Sequence, residues 1–226
     1  MFKIYRRFQN LLVWLAVLGA IYVRFTRPWH LHWGTTTAEA TGVLPGDDLV
    51  PEPKLKATHA ITIQAPVAQV WPWLVQIGQG RGGFYSYDWL EMIGGLDIHS
   101  ADKILPEFQT LNVGDILPLG PNNFGPKVVS LEPERALVVG GELNLPNGEF
   151  FGSSWSFNLE AVDANTTRLV ERLQLDWVPL LKNDFFYRVM LEPASFVMER
   201  KMLLGIKQRA ERLSSDRPRK VDRAVI

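Results

Sequence analysis

Residues 192–206 read EPASFVMERKMLLGI, and this stretch decides the fold. Pro193 suits the first turn of a helix, where its missing N–H costs no hydrogen bond. Beyond it, Phe196, Val197, Met198, Met202, Leu203 and Ile206 make the helix apolar over much of its circumference, and the pattern runs to about Leu213. So long and apolar a helix must be covered by a large apolar surface. The text before it supplies one. Runs at Asp115–Leu119, Lys127–Leu131, Arg135–Val139, Ser153–Ala161 and Arg168–Trp177 are separated by Gly, Pro, Asn or Asp clusters, the spacing of an antiparallel meander. Asp184 caps a short helical piece between the last run and the long helix.

Further upstream, Thr58–Ile63 alternates and is β-branched, which predicts another strand. His59 shares the face of Ile61 and Ile63. It reads as a satisfied, semi-buried histidine, with a pocket histidine as the alternative. Pro66 then opens a helix carrying Val67, Val70, Trp71, Leu74 and Val75 on one face, and Pro72 kinks it or delays its start. A glycine-rich stretch from Gly78 to Gly83 leads into a second short helix, Tyr85 to Ile93. Between Trp33 and these elements, Thr36 and Glu39 have capping-box spacing, and the turn at Pro45-Gly46 precedes Pro51 and Pro53. This segment reads as a strap across a domain surface.

Strand, helix pair, antiparallel strands and one long closing helix make an α+β pattern. A strongly curved sheet wrapped around that helix leaves space between them, and the many aromatic residues suit its walls. At 46% hydrophobic and 21% charged, with no net charge, the chain is not disordered. With no cysteine, disulfides, a thiolate nucleophile and thiolate-bound metal are excluded.

The order of elements resembles the helix-grip fold of the superfamily of START domains, birch-pollen allergens and polyketide cyclases (SRPBCC). The likeness is carried by residues 44–51 (LPGDDLVP), 65–74 (APVAQVWPWL), 79–88 (QGRGGFYSYD) and 198–205 (MERKMLLG). It extends from about Trp33 to Leu213 and is similar to bacterial members without an assigned activity. The resemblance implies a ligand-binding cavity and no single chemistry.

Charge is unevenly placed. Met1–Arg27 holds 5 basic residues and no acidic one, Arg200–Ile226 holds 9 basic against 3 acidic, and the body between is acidic. Basic ends on an acidic body do not fit a nucleic-acid groove, so no nucleic-acid partner is expected. Residues 11–23 (LLVWLAVLGAIYV) are uncharged and bracketed by arginines. They read as a short single-span anchor in a membrane, with snorkelling arginines and interfacial aromatics making up its length. A signal peptide, an in-plane helix and a docked soluble helix are the alternatives, and orientation is undetermined. The organisation expected is an anchor over 1–27, a linker or strap over 28–57, the ligand-binding domain over 58–213 and a basic tail over 214–226, its charges including Arg217, Arg219, Lys220 and Arg223.

The densest polar cluster follows the first helix: Arg81, Tyr85, Tyr87, Asp88, Glu91, Asp97, His99 and Asp102. Arg81, Tyr85, Asp88, Trp89, Met92 and His99, with Phe196 and Met202 from the closing helix, are the expected ligand contacts. If the chain is an enzyme of cyclase or dehydratase type, Arg81 and Tyr85 orient a carbonyl at the cavity mouth, and Asp97 or His99 moves the proton. Asp97, His99 and Asp102 also have oxygen and nitrogen donors at close spacing, but cap a turn equally well, so no metal is expected there. The glycine loop follows a helix rather than preceding one, which rules out a phosphate cradle, and no cofactor is expected. The reading favoured is membrane-tethered binding of an apolar small molecule: a lipid, quinone or polyketide-like compound.

Overall fold

A computed structural model describes residues 2–93, 95–144 and 150–215. The basic tail lies outside the described residues apart from its first two positions. Five antiparallel strands form one sheet in the order β1-β5-β4-β3-β2: β1 (Leu55–Ile63), β2 (Lys127–Glu132), β3 (Ala136–Asn144), β4 (Phe150–Asp163) and β5 (Thr166–Trp177). The expected strand at Asp115–Leu119 is reduced to a single bridge between Ile116 and Lys127. Pro118 has no N–H to give a ladder there.

The helices are α1 (Phe2–Ile21), α2 (Arg27–Leu31), α3 (Thr37–Thr41), α4 (Val67–Val75), α5 (Asp88–Ile93), α6 (Leu181–Phe185) and α7 (Glu192–Ser215). Thr36 caps α3 through the reciprocal bonds with Glu39 expected from their spacing. The 24-residue α7 lies against the concave face of the sheet and buries Met202, Leu203, Ile206 and Ala210. Facing them are Ile63 of β1, Leu137 and Val139 of β3, Phe157 of β4 and Leu169 of β5, in one core that also takes in Val70, Trp73 and Leu74 of α4. This is the helix-grip arrangement.

The second short helix starts later than the sequence suggests. Tyr85 sits at φ 57, buried, with its hydroxyl donating to the Trp73 carbonyl at 2.9 Å. A left-handed residue cannot begin a right-handed helix, so α5 starts at Asp88. The loop runs so close to α7 that a Cβ on Gly205 would lie 2.3 Å from the Tyr85 carbonyl oxygen, which is why glycine stands there.

The expected membrane anchor requires correction. No helix among the described residues is long and apolar enough to cross a membrane. The first half of α1 contains Lys3, Arg6, Arg7, Gln9 and Asn10, so its uncharged run begins only at Leu11. Thirteen residues cover about 20 Å against roughly 30 Å of hydrocarbon. The run then enters a π-helical turn, Tyr22–Thr26, containing Arg24. Immediately after it, α2 docks on the folded body. Arg27 donates two hydrogen bonds to Glu192, from Nε at 2.8 Å and from Nη2 at 2.9 Å, and His30 and Leu31 are buried.

The convex face of the sheet is covered by the segment between α2 and β1. Arg172 of β5, 1% exposed, donates to Thr58 Oγ1, Asp47 Oδ2 and the carbonyls of Glu39 and Gly42 at 2.6–3.0 Å. Arg168, four residues earlier on the same strand, makes a two-pronged pair with Glu39 and reaches the Gly34 carbonyl. Two sheet arginines therefore hold residues 34–47 across the outer surface.

Candidate functional site

Between α7 and the concave face lies a cavity of about 460 Å³. Alternating strand positions build its floor: Phe151, Ser153 and Trp155 of β4, Leu173 and Leu175 of β5, and Val139 of β3. Ser195, Met198, Glu199 and Met202, spaced along one face of α7, form its roof. Phe84, Leu96, Ile98, Leu119 and Phe124 close the end formed by the loops. The walls are overwhelmingly apolar.

Two carboxylates break that pattern. Glu91 of α5 lines the cavity, is buried, and neither of its oxygens has a hydrogen-bond partner among the described residues. Burial, assisted by neighbouring Asp88, raises its pKa to about 7. Glu199 enters from α7, and behind it stands a buried cluster. His59 of β1 lies directly across from Glu171 of β5, and the His59 Nδ1 is 3.4 Å from Glu171 Oε2 and 3.2 Å from Glu199 Oε2. The other ring nitrogen, Nε2, donates to the His30 carbonyl at 2.9 Å. Trp155 Nε1 donates to Glu171 Oε1 at 2.6 Å. Burial pulls the His59 pKa down, but the two carboxylates outweigh it and raise it to about 10. Glu171, wholly buried and beside a second carboxylate, sits well above the ordinary carboxylate range.

Of the residues singled out in the sequence, Met202 lines this cavity. The others lie elsewhere. Phe196 stacks on His30, with ring centroids 5.3 Å apart, and adjoins the His59 cluster. Tyr85 and Asp88 border a polar cleft of about 290 Å³ on the other side of α7, with Ser100, Asp102, Lys201, Arg209 and Arg212. Asp88 accepts the backbone N–H and hydroxyl of Ser100, and burial raises the Tyr85 hydroxyl pKa. Arg81 donates to the carbonyls of Val75 and Phe108 and covers the Phe108 ring. Trp89 and Met92 are exposed. Asp97 and His99 pair with each other at 3.0 Å on the surface. Neither Asp97 nor His99 lines the cavity, although Leu96 and Ile98 beside them do.

Glu91 belongs to the polar cluster read from the sequence; Glu199 on the cavity wall and Glu171 behind it were passed over. A signal was present. In Leu169-Val-Glu171-Arg-Leu173-Gln-Leu175 the inward positions read Leu, Glu, Leu, Leu, a lone acid in an apolar row. His59 falls on the same face as Ile61 and Ile63, as its strand offset requires.

No protein-family model matches the sequence, and no curated protein matches it. Among solved structures, the chain is similar to a polyketide-cyclase-like protein of Corynebacterium glutamicum, at 18% identity and TM-score 0.39, over 71% of this chain and 94% of that one. It is similar to the Aha1 dimer of Colwellia psychrerythraea, at 22% identity and TM-score 0.38, over 70% and 96%. It is also similar to an aromatase/cyclase of Streptomyces sp. R1128, at 14% identity and TM-score 0.34, over 71% and 95%. At these values the likenesses add nothing to what the chain's own strands and helices establish.

Proposed function

We propose that this protein binds a predominantly apolar small molecule in the cavity between the sheet and α7, with one hydrogen-bond-donating or cationic group of the guest against Glu91. The observation that carries the reading is the apolar hollow itself, sheltered by α7 and enclosing a buried carboxyl group with no hydrogen-bond partner among the described residues. Apolar walls without a guest forfeit the contacts that close packing supplies elsewhere in a protein. A guest burying about 300 Å² gains roughly 7 kcal/mol before association costs, whereas micromolar affinity needs about 8 kcal/mol net. Greasy contact alone therefore falls short, and a polar anchor such as Glu91 makes up the difference.

Native mass spectrometry of the full chain tests this. A lipid-sized adduct on the purified protein is expected, lost on mild collisional activation, and weakened at least tenfold on re-addition to Glu91→Gln when the guest is a cation. A chain that is consistently empty and indifferent to apolar additives contradicts the reading.

A further inference from the structure

We infer that His59, Glu171 and Glu199 form a binding site for a divalent first-row metal ion such as Zn(II) or Mn(II), beside the cavity whose wall Glu199 shares. The inference stands on this cluster's own geometry and does not rest on the apolar-ligand reading. One donor atom from each residue lies within 4.8 Å of the others, and all three residues are buried. The His59 Nδ1 faces both carboxylates at 3.2 and 3.4 Å, yet Glu171 Oε2 and Glu199 Oε2 each have no hydrogen-bond partner among the described residues. An N–H aimed at one carboxylate would satisfy it. A nitrogen facing the space between two oxygens suits an ion instead. Donors about 2.1 Å from a tetrahedral metal lie roughly 3.4 Å apart, which these separations match.

The surroundings fit as well. Nε2–H is committed to the His30 carbonyl, which fixes the ring and makes Nδ1 the nitrogen that would exchange its proton for the ion. Trp155 holds the far oxygen of Glu171. A void of about 10 Å³, the size of a single ion or water, adjoins His59 and Glu199. Glu192 on the same void is already paired with Arg27 and His30, so it is not a donor. Charge balance points the same way. Two carboxylates and one imidazolium leave a buried net negative charge, whereas two carboxylates, a neutral imidazole and a dication sum to zero. One nitrogen and two oxygens suit zinc or manganese; calcium asks for six or more oxygens. Three protein donors leave a position open, and Glu199 lies on the cavity wall. A carbonyl, hydroxyl or carboxylate of a guest could occupy that position.

The test is calorimetric titration of the chelator-treated full chain with zinc chloride, with Co(II) absorption as a second readout of the donor set. One ion per chain is expected, with proton release that grows as pH falls. Glu171→Gln and Glu199→Gln each weaken uptake at least a hundredfold and remove the cobalt bands, at unchanged circular dichroism. Trp155→Phe, which touches only a positioning group, weakens uptake 10–100-fold. Should Glu171→Gln fail to fold, Glu199→Gln and Trp155→Phe still decide the matter. No uptake by the wild type, or uptake indifferent to these substitutions, overturns the inference.

Discussion

Glu171 and Arg172 are neighbours on β5, are equally inaccessible, and point to opposite faces of the sheet. Their treatment differs completely. On the convex face every arm of the Arg172 guanidinium is used, by Thr58, Asp47 and three carbonyls of the overlying segment. On the concave face Glu171 Oε2, Glu199 Oε2 and both oxygens of Glu91 have no hydrogen-bond partner among the described residues. Burying a charge is tolerable when its hydrogen bonds are replaced and costly when they are not. The convex face is thus built to hold the chain together. The outer face leaves Asp47 Oδ1 and Gln174 Oε1 without a partner among the described residues, but the concave side is the one where two carboxylates share a single imidazole and a third, Glu91, has no partner among those residues beside a hollow. Such departures from internal consistency are expected where a protein acts.

The largest effect that would break this comparison is at Arg172. Arg172→Met takes the buried donor from the carbonyls of Glu39, Ala40 and Gly42 and leaves Asp47 with only Lys56 and the Leu44 N–H, and is expected to cost about 3–5 kcal/mol. Chemical denaturation should show a lower midpoint, and limited proteolysis should cut near residues 40–47. Glu171→Gln, one residue away, should change stability by less than about 1 kcal/mol, because the amide relieves a desolvated carboxylate. Equal losses from the two substitutions would erase the distinction between the faces.

Next comes acid. The Arg168 guanidinium holds the Glu39 carboxyl down at about 2, against burial. A depressed folded pKa contributes stability that is complete above the ordinary value near 4.5 and is lost as pH falls toward 2. For this partly exposed pair the contribution is about 2 kcal/mol. Unfolding measured from pH 5 to pH 2 should show that slope, and Glu39→Gln should flatten it.

Smaller, and opposite in sign, is Glu91. Its folded pKa of about 7 lies above the unfolded value. The protonated form is therefore favoured by the fold, and stability present below about 4.5 is lost as pH rises through 7. Glu91→Gln should raise the melting temperature at pH 8 by about 2–5 °C while changing little at pH 4.5, as read by differential scanning fluorimetry. A benefit of the same size at both values would mean that the carboxyl is not the cause.

How far the molecule was legible in its sequence divides along the same line. Local chemistry was readable: the Thr36–Glu39 capping box, Pro193 in the first turn of α7, and the strand runs of β1 and β5 all depend on neighbours in the chain. The polar residues between Arg81 and His99 divide: Tyr85, at positive φ, and Asp88 border the cleft on the other side of α7, while Glu91 lines the cavity. Asp97 and His99 satisfy each other on the surface. The two carboxyl groups that do reach the hollow, Glu91 and Glu199, come from α5 and α7, more than 100 positions apart in the chain, and only the fold brings them together. Residues 11–23 looked like an anchor because hydropathy registers apolar content more strongly than the length needed to span.

The most direct measurement is an equilibrium titration of the full chain with Nile red, read by the probe's emission, comparing wild type with Leu173→Trp. Leu173 lies on the cavity floor, and an indole there fills space the guest needs. The account predicts a saturable rise with one probe per wild-type chain and at least tenfold weaker binding in a variant of unchanged melting temperature. Identical curves for the two proteins, or no response from either, would contradict it.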